Sequence, residues 1–196
     1  RRGASVGGGR AGLMAAERLV AVDCLEVAIF DAMPSFGRKF LMAGKGGMNI
    51  THSEPLDAFL ARYGARRAAL EPMIGAFGPE ALRAWMRSLG VDSFVGSSGR
   101  VFPTEMKAAP LLRAWLHRLR QQAVRFHVRH RLSALPRLAD GRYGLLFDPP
   151  AGERRIDFTP DTLCDGLRGS LGAPNFTLLQ QHHVEVITVS DVATVQ

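Results

Sequence analysis

Cysteine is scarce in this chain of 196 residues, and the two cysteines, Cys24 and Cys164, lie far apart. They form neither a disulfide framework nor a C-x-x-C pair, so we interpret both as small buried or bystander thiols rather than a dithiol relay. No apolar run approaches the roughly 18 residues that a membrane span needs. No metal-ligand spacing occurs, and the neighbouring His182 and His183 would point to opposite faces of a strand.

The start of the chain also lacks features. No apolar region follows Arg1-Arg2, so no signal peptide is predicted and a cytoplasmic location is expected. The chain has no initiator Met and its first motif begins at Gly7, which suggests that a few residues are missing in front.

Acidic residues are outnumbered by basic ones. The chain has 25 Lys and Arg against 18 Asp and Glu, a net charge of +7 and a pI of about 10.4. Such a surplus attracts phosphate-rich partners such as RNA, but an arginine-rich proteome whose protein surfaces are solvated by arginine is the favoured explanation. With 46% hydrophobic residues, the chain can bury the core of one domain or two small ones.

A glycine-rich stretch near the start, Gly7-Gly8-Gly9-Arg10-Ala11-Gly12, fits the pattern G-x-G-x-x-G. In dinucleotide-binding proteins the first glycine makes a tight turn after a strand. The second lets the backbone approach a pyrophosphate, and the third lets a helix pack closely on the strand. The helix that follows directs free N–H groups at the phosphates. For such a triplet taken alone, an ordinary turn is the alternative.

The flanking segments favour the dinucleotide site. Ala4-Ser5-Val6 is the end of a strand, residues 11–20 have helical spacing, and residues 25–30 are typical of a second strand. Asp31 ends that strand, 19 positions after Gly12. An acidic residue about 20 positions on is the one that binds the ribose in this motif.

A second glycine cluster, residues 44–49, follows the turn Gly37-Arg38-Lys39. This cluster contains Lys45, and together the two glycine loops could wrap a long phosphate-bearing ligand. A flexible surface loop is the alternative.

The middle of the chain has mostly helical periodicity. Helices are predicted at 55–63, 66–77, 79–89 and 108–122. A hairpin is predicted where residues 93–95 and 100–102 flank Gly96-Ser97-Ser98-Gly99.

From residue 124 onward, alternation predicts a three-stranded antiparallel meander. Its strands are expected at 124–132, 142–147 and 153–158. His130 falls on the apolar face, where we expect a hydrogen-bonded core histidine. Residues 162–172 do not predict a buried strand, and 182–195 alternate like a strand without an evident partner.

Five motifs in this order resemble one family: Gly7–Leu13, Phe30-Asp31-Ala32, Gly37-Arg38-Lys39, Gly44–Thr51 and Gly99-Arg100-Val101-Phe102-Pro103. Over residues 4–158 the chain looks like the bacterial FAD-binding flavoproteins called the aminoacetone oxidase or BaiN/RdsA-type family. The resemblance implies an α/β protein, with a Rossmann-like FAD-binding fold, a parallel sheet with helices and a three-stranded antiparallel crossover meander. It also implies a FAD-binding domain of residues 1–160, with the meander at about 124–158. Residues 161–196 would be a divergent tail, incomplete at the C-terminus.

The resemblance also implies the roles of particular residues. The pyrophosphate of FAD would be held by Gly7, Gly9 and Gly12, the ribose by Asp31, and the adenosine diphosphate would be flanked by Arg38 and Lys39. The residues running past the isoalloxazine would be Gly46, Gly47, Asn49 and Thr51, and those bordering the substrate side would be Arg100 and Lys107.

By the same resemblance, the function is FAD-dependent oxidoreduction with hydride transfer through flavin N5. The substrate would be a small amine, with oxygen as acceptor. One alternative is a flavin-dependent reductase acting on ribosomal RNA or on an unsaturated small molecule; the basic helix 108–122 and Arg125, Arg129 and Arg131 favour the RNA version. The other is a non-catalytic, vestigial nucleotide-binding module. The sequence shows no acid–base pair, so no catalytic residue is predicted.

Overall fold

The computed structural model describes residues 2–43, 46–139 and 143–148, and the backbone of 157–158 and 162–163. The strands of this described part are β1 (Arg2–Val6), β2 (Glu26–Phe30), β3 (Thr51–His52), β4 (Ser93–Val95), β5 (Arg100–Pro103), β6 (Arg125–His127), β7 (Arg131–Ala134), β8 (Leu145–Asp148), β9 (Asp157–Phe158) and β10 (Thr162–Leu163). Its helices are α1 (Arg10–Leu19), α2 (Arg38–Ala43), α3 (Leu56–Ala61), α4 (Arg67–Ala76), α5 (Pro79–Ser88) and α6 (Ala108–Gln121), with a 3₁₀ turn at Gly64–Arg66.

The chain forms two compact units. The first unit comprises Arg1–Phe36 and Gln122–Gln196, and the second unit comprises Gly37–Gln121. The first glycine loop and Asp31 therefore belong to the first unit, and the second glycine cluster belongs to the second.

A parallel sheet, in the order β10-β1-β2-β6, organises the first unit. Helix α1 connects β1 to β2 and buries Leu13, Ala16 and Leu19. These residues recur at helical spacing, so one apolar stripe of α1 is removed from water. The strand–helix–strand prediction around the first glycine loop is confirmed.

An antiparallel sheet, in the order β7-β8-β9, completes the described part of the first unit. Leu145 and Phe147 of β8 are fully buried and join one apolar cluster with Ala28 and Phe30 of the parallel sheet. The predicted α/β class, with a parallel sheet and an antiparallel meander, is confirmed.

The predicted first meander strand, residues 124–132, is wrong as a single element. Residues Arg125–His127 pair in parallel with β2, and a separate strand begins at Arg131. The break falls at Arg129, whose φ is +58° in the left-handed region. There the backbone N–H of Arg129 donates to the carbonyl of Met33 at 3.0 Å, which turns the chain out of the parallel sheet.

The second unit contains a small antiparallel sheet, β3-β5-β4, and the helices α2 to α6. The predicted hairpin is confirmed, with Phe94 opposite Phe102. All four predicted helices are found within a few residues of the expected bounds. The core of this unit includes the rings of Phe40 in α2 and Trp115 in α6, whose centroids lie 6.5 Å apart.

Further expectations concern the two cysteines, Lys45 and the tail. Cys24, expected as a buried or bystander thiol, is exposed. Thr162–Leu163 lie beside β1, in parallel register with Gly3 and Ala4, where the sequence predicted no buried strand. The predictions for Lys45, Cys164 and residues 182–195 lie outside the described residues. Among the described helices, none is long and apolar enough to cross a membrane.

Candidate dinucleotide-binding site

The turn between β1 and α1 requires glycine at Gly7 and Gly12 for different reasons. Gly7 has a φ of +105°, in the left-handed region, and its N–H donates to the carbonyl of Phe30 at 2.8 Å. A Cβ on Gly12 would overlap the carbonyl oxygen of Gly7 and lie 3.0 Å from Oγ of Ser5. The Ser5 hydroxyl, which is buried, donates to the carbonyl of Gly12 at 3.1 Å. Strand and helix can approach this closely only because residue 12 has no side chain.

Gly9 is different, because a Cβ there would meet no atom of the described part of the chain within 4 Å. Gly9 is the N-cap of α1, where no side chain caps the helix, and the first turn of α1 contains no acidic residue. The N–H groups of a helical first turn have no intrahelical acceptor, and the helix dipole is positive at this end. Open space in front of such a helix end suits an anion such as a pyrophosphate.

Asp31 follows β2 and makes four hydrogen bonds with backbone groups, two through its carboxylate and two through its own N–H and carbonyl. Its Oδ2 accepts a hydrogen bond from the N–H of Gly8 at 2.5 Å, and its Oδ1 accepts one from the N–H of Met33 at 2.7 Å. Its own N–H donates to the carbonyl of His127 at 2.9 Å, and its carbonyl accepts from the N–H of His130 at 2.8 Å. An ionised carboxylate has lone pairs left over, so it can also accept hydrogen bonds from the hydroxyls of a ribose.

Aromatic rings pack beside Asp31, between the parallel sheet and the meander. Phe30 stacks on His127 and on Phe147, with centroid separations of 4.5 Å and 4.1 Å. Burial, together with the neighbouring His130 and Arg125, lowers the pKa of His127. This half-buried imidazole is therefore harder to protonate than a free histidine.

His130 was expected to be a hydrogen-bonded core histidine, and it is buried. Its Nδ1 lies 2.7 Å from the carbonyl of Val128, while its buried Nε2 has no hydrogen-bond partner among the described residues. The expectation therefore holds for one ring nitrogen and not for the other.

In the second unit, Arg38 and Lys39 occupy the exposed start of α2. Gly37 precedes them with a φ of +68°, and a Cβ there would come within 2.5 Å of Cδ2 of Leu112. This glycine therefore lets α2 begin close against α6.

Residues 47–50, the end of the second glycine cluster and Ile50, lie alongside the segment from Val101 to Met106. Ile50 donates its N–H to the carbonyl of Val101 at 2.9 Å, and Met48 donates to that of Met106 at 3.0 Å. Gly47 has a φ of +108°, and a Cβ there would come within 2.8 Å of Cε of Met106. These bonds bring the two predicted segments together within one unit.

Side-chain exposure divides the predicted residues of this unit. Thr51 is buried in β3, opposite Val101. The exposed residues are Gly46, Asn49, Arg100 and Lys107. In the first unit, the turn and the Gly8 bond bring Gly7, Gly9 and Gly12 together with Asp31.

Sequence reasoning missed several residues that shape these loops. Gly8 occupies a motif position that tolerates any residue, and Phe36 had no signal beyond its place in a turn-rich loop. Met106 has a φ of +56°, a backbone conformation that no pattern in the sequence indicates. In the described residues, no three His, Cys, Asp or Glu side chains come together as a metal site would need.

A parallel strand, a glycine turn, an uncapped helix start and a carboxylate after the second strand together define a Rossmann-type dinucleotide-binding domain. The chain belongs to the family described as "HI0933-like protein Rossmann domain", whose profile matches residues 3–152. This family lies within the FAD-binding oxidoreductase superfamily.

Solved structures with low sequence identity share this fold. THI4 of Thermovibrio ammonificans superimposes with a TM-score of 0.58 and 17% identity, over 92% of this chain and 61% of that one. A flavocytochrome c3 fumarate reductase gives a TM-score of 0.63 and 18% identity, over 83% of this chain and 32% of the other. The E. coli quinol fumarate reductase FrdA, in a variant form, gives 0.62 and 13%, with coverages of 83% and 32%.

This chain thus spans between about one third and three fifths of the length of these structures. None of the curated proteins matches the chain in sequence.

Proposed function

We propose that this chain is the FAD-binding part of a flavin-dependent oxidoreductase of the aminoacetone oxidase or BaiN/RdsA type. The observation that carries the proposal is the open space at Gly9, in front of the uncapped start of α1 and one residue from the Asp31-bonded Gly8. The family membership of residues 3–152 supports it.

In this proposal the first unit binds the adenosine end of FAD. Gly7, Gly9 and Gly12 form the loop that holds the pyrophosphate: Gly9 leaves the positive end of α1 open to negative charge, and Gly12 lets α1 pack closely on β1. Asp31 accepts hydrogen bonds from the ribose hydroxyls. Arg38 and Lys39, both exposed cations, lie along the diphosphate.

The residues proposed for the flavin end of FAD all lie in residues 37–121. Gly46, Gly47 and Asn49, with the backbone of Thr51, run past the isoalloxazine, and Arg100 and Lys107 border the substrate. When bound, FAD supplies hydride transfer at its N5 position, and the protein supplies orientation and electrostatics. The proposed substrate is a small amine, with oxygen as acceptor.

The visible spectrum of the purified chain tests the binding proposal. We expect a yellow protein with flavin absorption, and loss of the bound flavin in Gly9→Ala, whose new methyl group occupies the space proposed for the pyrophosphate. Asp31→Ala should weaken FAD binding about tenfold or more, because it removes a charged acceptor. Gly75→Ala is the matched control: it also places a methyl group in open space, but on the exposed face of α4.

A folded, colourless chain that takes up no added FAD would contradict this proposal and favour the vestigial nucleotide-binding module. A yellow chain whose colour survives Gly9→Ala would place the flavin elsewhere.

A second candidate, a flavin-dependent reductase acting on RNA, is favoured by the distribution of charge. Residues 37–121 contain 13 Lys and Arg against six Asp and Glu, a surplus of +7 that equals the net charge of the whole chain. The remaining residues contain 12 of each. The entire surplus of positive charge thus lies in residues 37–121, which include the proposed substrate-side residues Arg100 and Lys107. If this charge binds RNA, the affinity should weaken steeply as the salt concentration rises.

A further inference from the structure

We infer that Gly8, Phe36 and Asp31 form a latch that sets the conformation of the first glycine loop before any ligand binds, and that Gly8 is a positioning residue of the FAD site. The predicted effect of the latch on FAD binding rests on the proposed function. The latch itself is a property of the loop.

The polar half of the latch is the bond between the Gly8 N–H and Oδ2 of Asp31, at 2.5 Å. It joins the loop after β1 to the residue after β2, across 23 positions of sequence. Bonds from a backbone N–H to an ionised carboxylate are among the stronger hydrogen bonds in proteins. The second bond to this carboxylate, from Met33, prevents Oδ2 from rotating away from Gly8.

The steric half is the ring of Phe36. A Cβ added to Gly8 would overlap Cδ1 of Phe36 and would lie 2.7 Å from its Cε1 and 2.8 Å from Oδ2 of Asp31. Phe36 is only 7% exposed, and its ring packs edge-on against Phe126 with centroids 5.1 Å apart. The ring is therefore fixed, and a side chain at position 8 would have to move the loop instead.

Position 8 is thus as restricted as the motif glycine at position 12, although the G-x-G-x-x-G pattern leaves it open. Gly9 shows the opposite behaviour, since a Cβ there would meet no atom of the described residues within 4 Å. This loop therefore contains two kinds of glycine. Gly8 packs against the protein, whereas Gly9 faces the space proposed for the ligand.

This difference gives the latch a specific consequence. A Cβ at Gly8 would separate its N–H from Asp31, so one substitution would disturb both Gly9, the next residue, and the carboxylate proposed to bind the ribose. A Cβ at Gly9 would obstruct the ligand and leave the latch intact.

The two substitutions are compared by FAD titration and by the Tm of the apoprotein. We expect Gly8→Ala to weaken FAD binding roughly 10- to 100-fold and to lower the Tm of the apoprotein, because a charged hydrogen bond is lost. Gly9→Ala should abolish FAD binding at an unchanged apoprotein Tm.

Rescue separates positioning from a general loss of structure. Phe36→Ala removes the ring that a Cβ at position 8 would overlap, so Gly8→Ala should weaken FAD binding less in the Phe36→Ala protein than in the wild type. An equal weakening in both backgrounds, or binding by Gly8→Ala within about twofold of wild type, would overturn the latch.

Failure of the proposed function looks different, because the wild-type chain itself would then bind no FAD. The latch would still be decided by the apoprotein Tm, which Gly8→Ala must lower in the wild-type background and lower less in the Phe36→Ala background. If Gly8→Ala does not fold, hydrogen exchange of the Gly8 amide decides instead. Slow exchange in the wild type that becomes fast in Asp31→Asn supports the latch, and fast exchange in the wild type contradicts it.

Discussion

His127 shows how a single side chain at the end of the parallel sheet couples stability to pH. Its ring stacks on Phe30, and burial with His130 and Arg125 nearby lowers its pKa. In the unfolded chain the pKa of histidine returns to about 6.5. Protonation therefore favours the unfolded chain, and stability is lost as the pH falls from above that value towards the lower pKa of the folded state.

We predict that His127→Phe reduces the fall in Tm between about pH 7.5 and about pH 5.5. Phenylalanine retains the stacking on Phe30 and cannot take up a proton. Thermal unfolding of both proteins at the two pH values measures the effect. His117→Gln, which removes an exposed imidazole of α6, is the control for the loss of one histidine side chain. Equal pH dependence in His127→Phe and the wild type would contradict the prediction.

At the level of the element, the sequence identified structure wherever the pattern was local and long enough. The stripe of Leu13, Ala16 and Leu19 indicated α1, and the placement of Asp31 after Phe30 indicated the end of β2. Both follow from side-chain periodicity and the requirements of a tight turn, which need no knowledge of distant residues. The candidate site residues of the first unit, the glycine turn and Asp31, could be predicted from the sequence for the same reason.

Elements whose structure depends on residues far away in the chain could not be predicted from the sequence. Two residues, Thr162–Leu163, are too short to show a period, and only their pairing with β1 makes them a strand. The alternation of residues 124–132 continues across the break at Arg129, so it did not show that the segment divides between two sheets. The Gly8 latch likewise depends on Phe36 and Asp31, which lie 28 and 23 positions away.

Helix α4 offers a prediction about stability at this level. Gly75 lies on the exposed face of this helix, and a Cβ there would meet nothing within 4 Å. Gly75→Ala should therefore raise the free energy of unfolding by about 0.5–1 kcal/mol, since alanine restricts the unfolded backbone more than glycine does.

Urea denaturation measures this difference, and the nearby Gly78 provides the control. A Cβ on Gly78 would lie 2.7 Å from the carbonyl oxygen of Ile74, so Gly78→Ala should destabilise the protein. If both substitutions changed stability in the same direction, the local space around each glycine would not be the deciding factor.

At the scale of the whole molecule, charge is divided unevenly between the two units. The surplus of +7 lies in residues 37–121, while the rest of the chain is balanced. The fold does not require this unequal distribution of charge, because each unit buries an apolar core of its own. A surplus confined to one unit favours a polyanion that contacts that unit, whereas a generally basic surface would distribute the charge over both.

The salt dependence of RNA binding distinguishes these cases. If single-stranded RNA binds the second unit, log K should fall with log salt concentration, with a slope of about −0.7 for each phosphate contacted. Arg87→Gln and Arg113→Gln remove exposed cations of α5 and α6, and each should make the slope shallower by up to about 0.7. Arg18→Gln removes an exposed cation of α1 in the first unit and should leave the slope unchanged. Equal effects from all three substitutions would indicate non-specific attraction of RNA to a basic protein. In that case, turnover of a small amine at a rate independent of salt concentration would favour the amine oxidase.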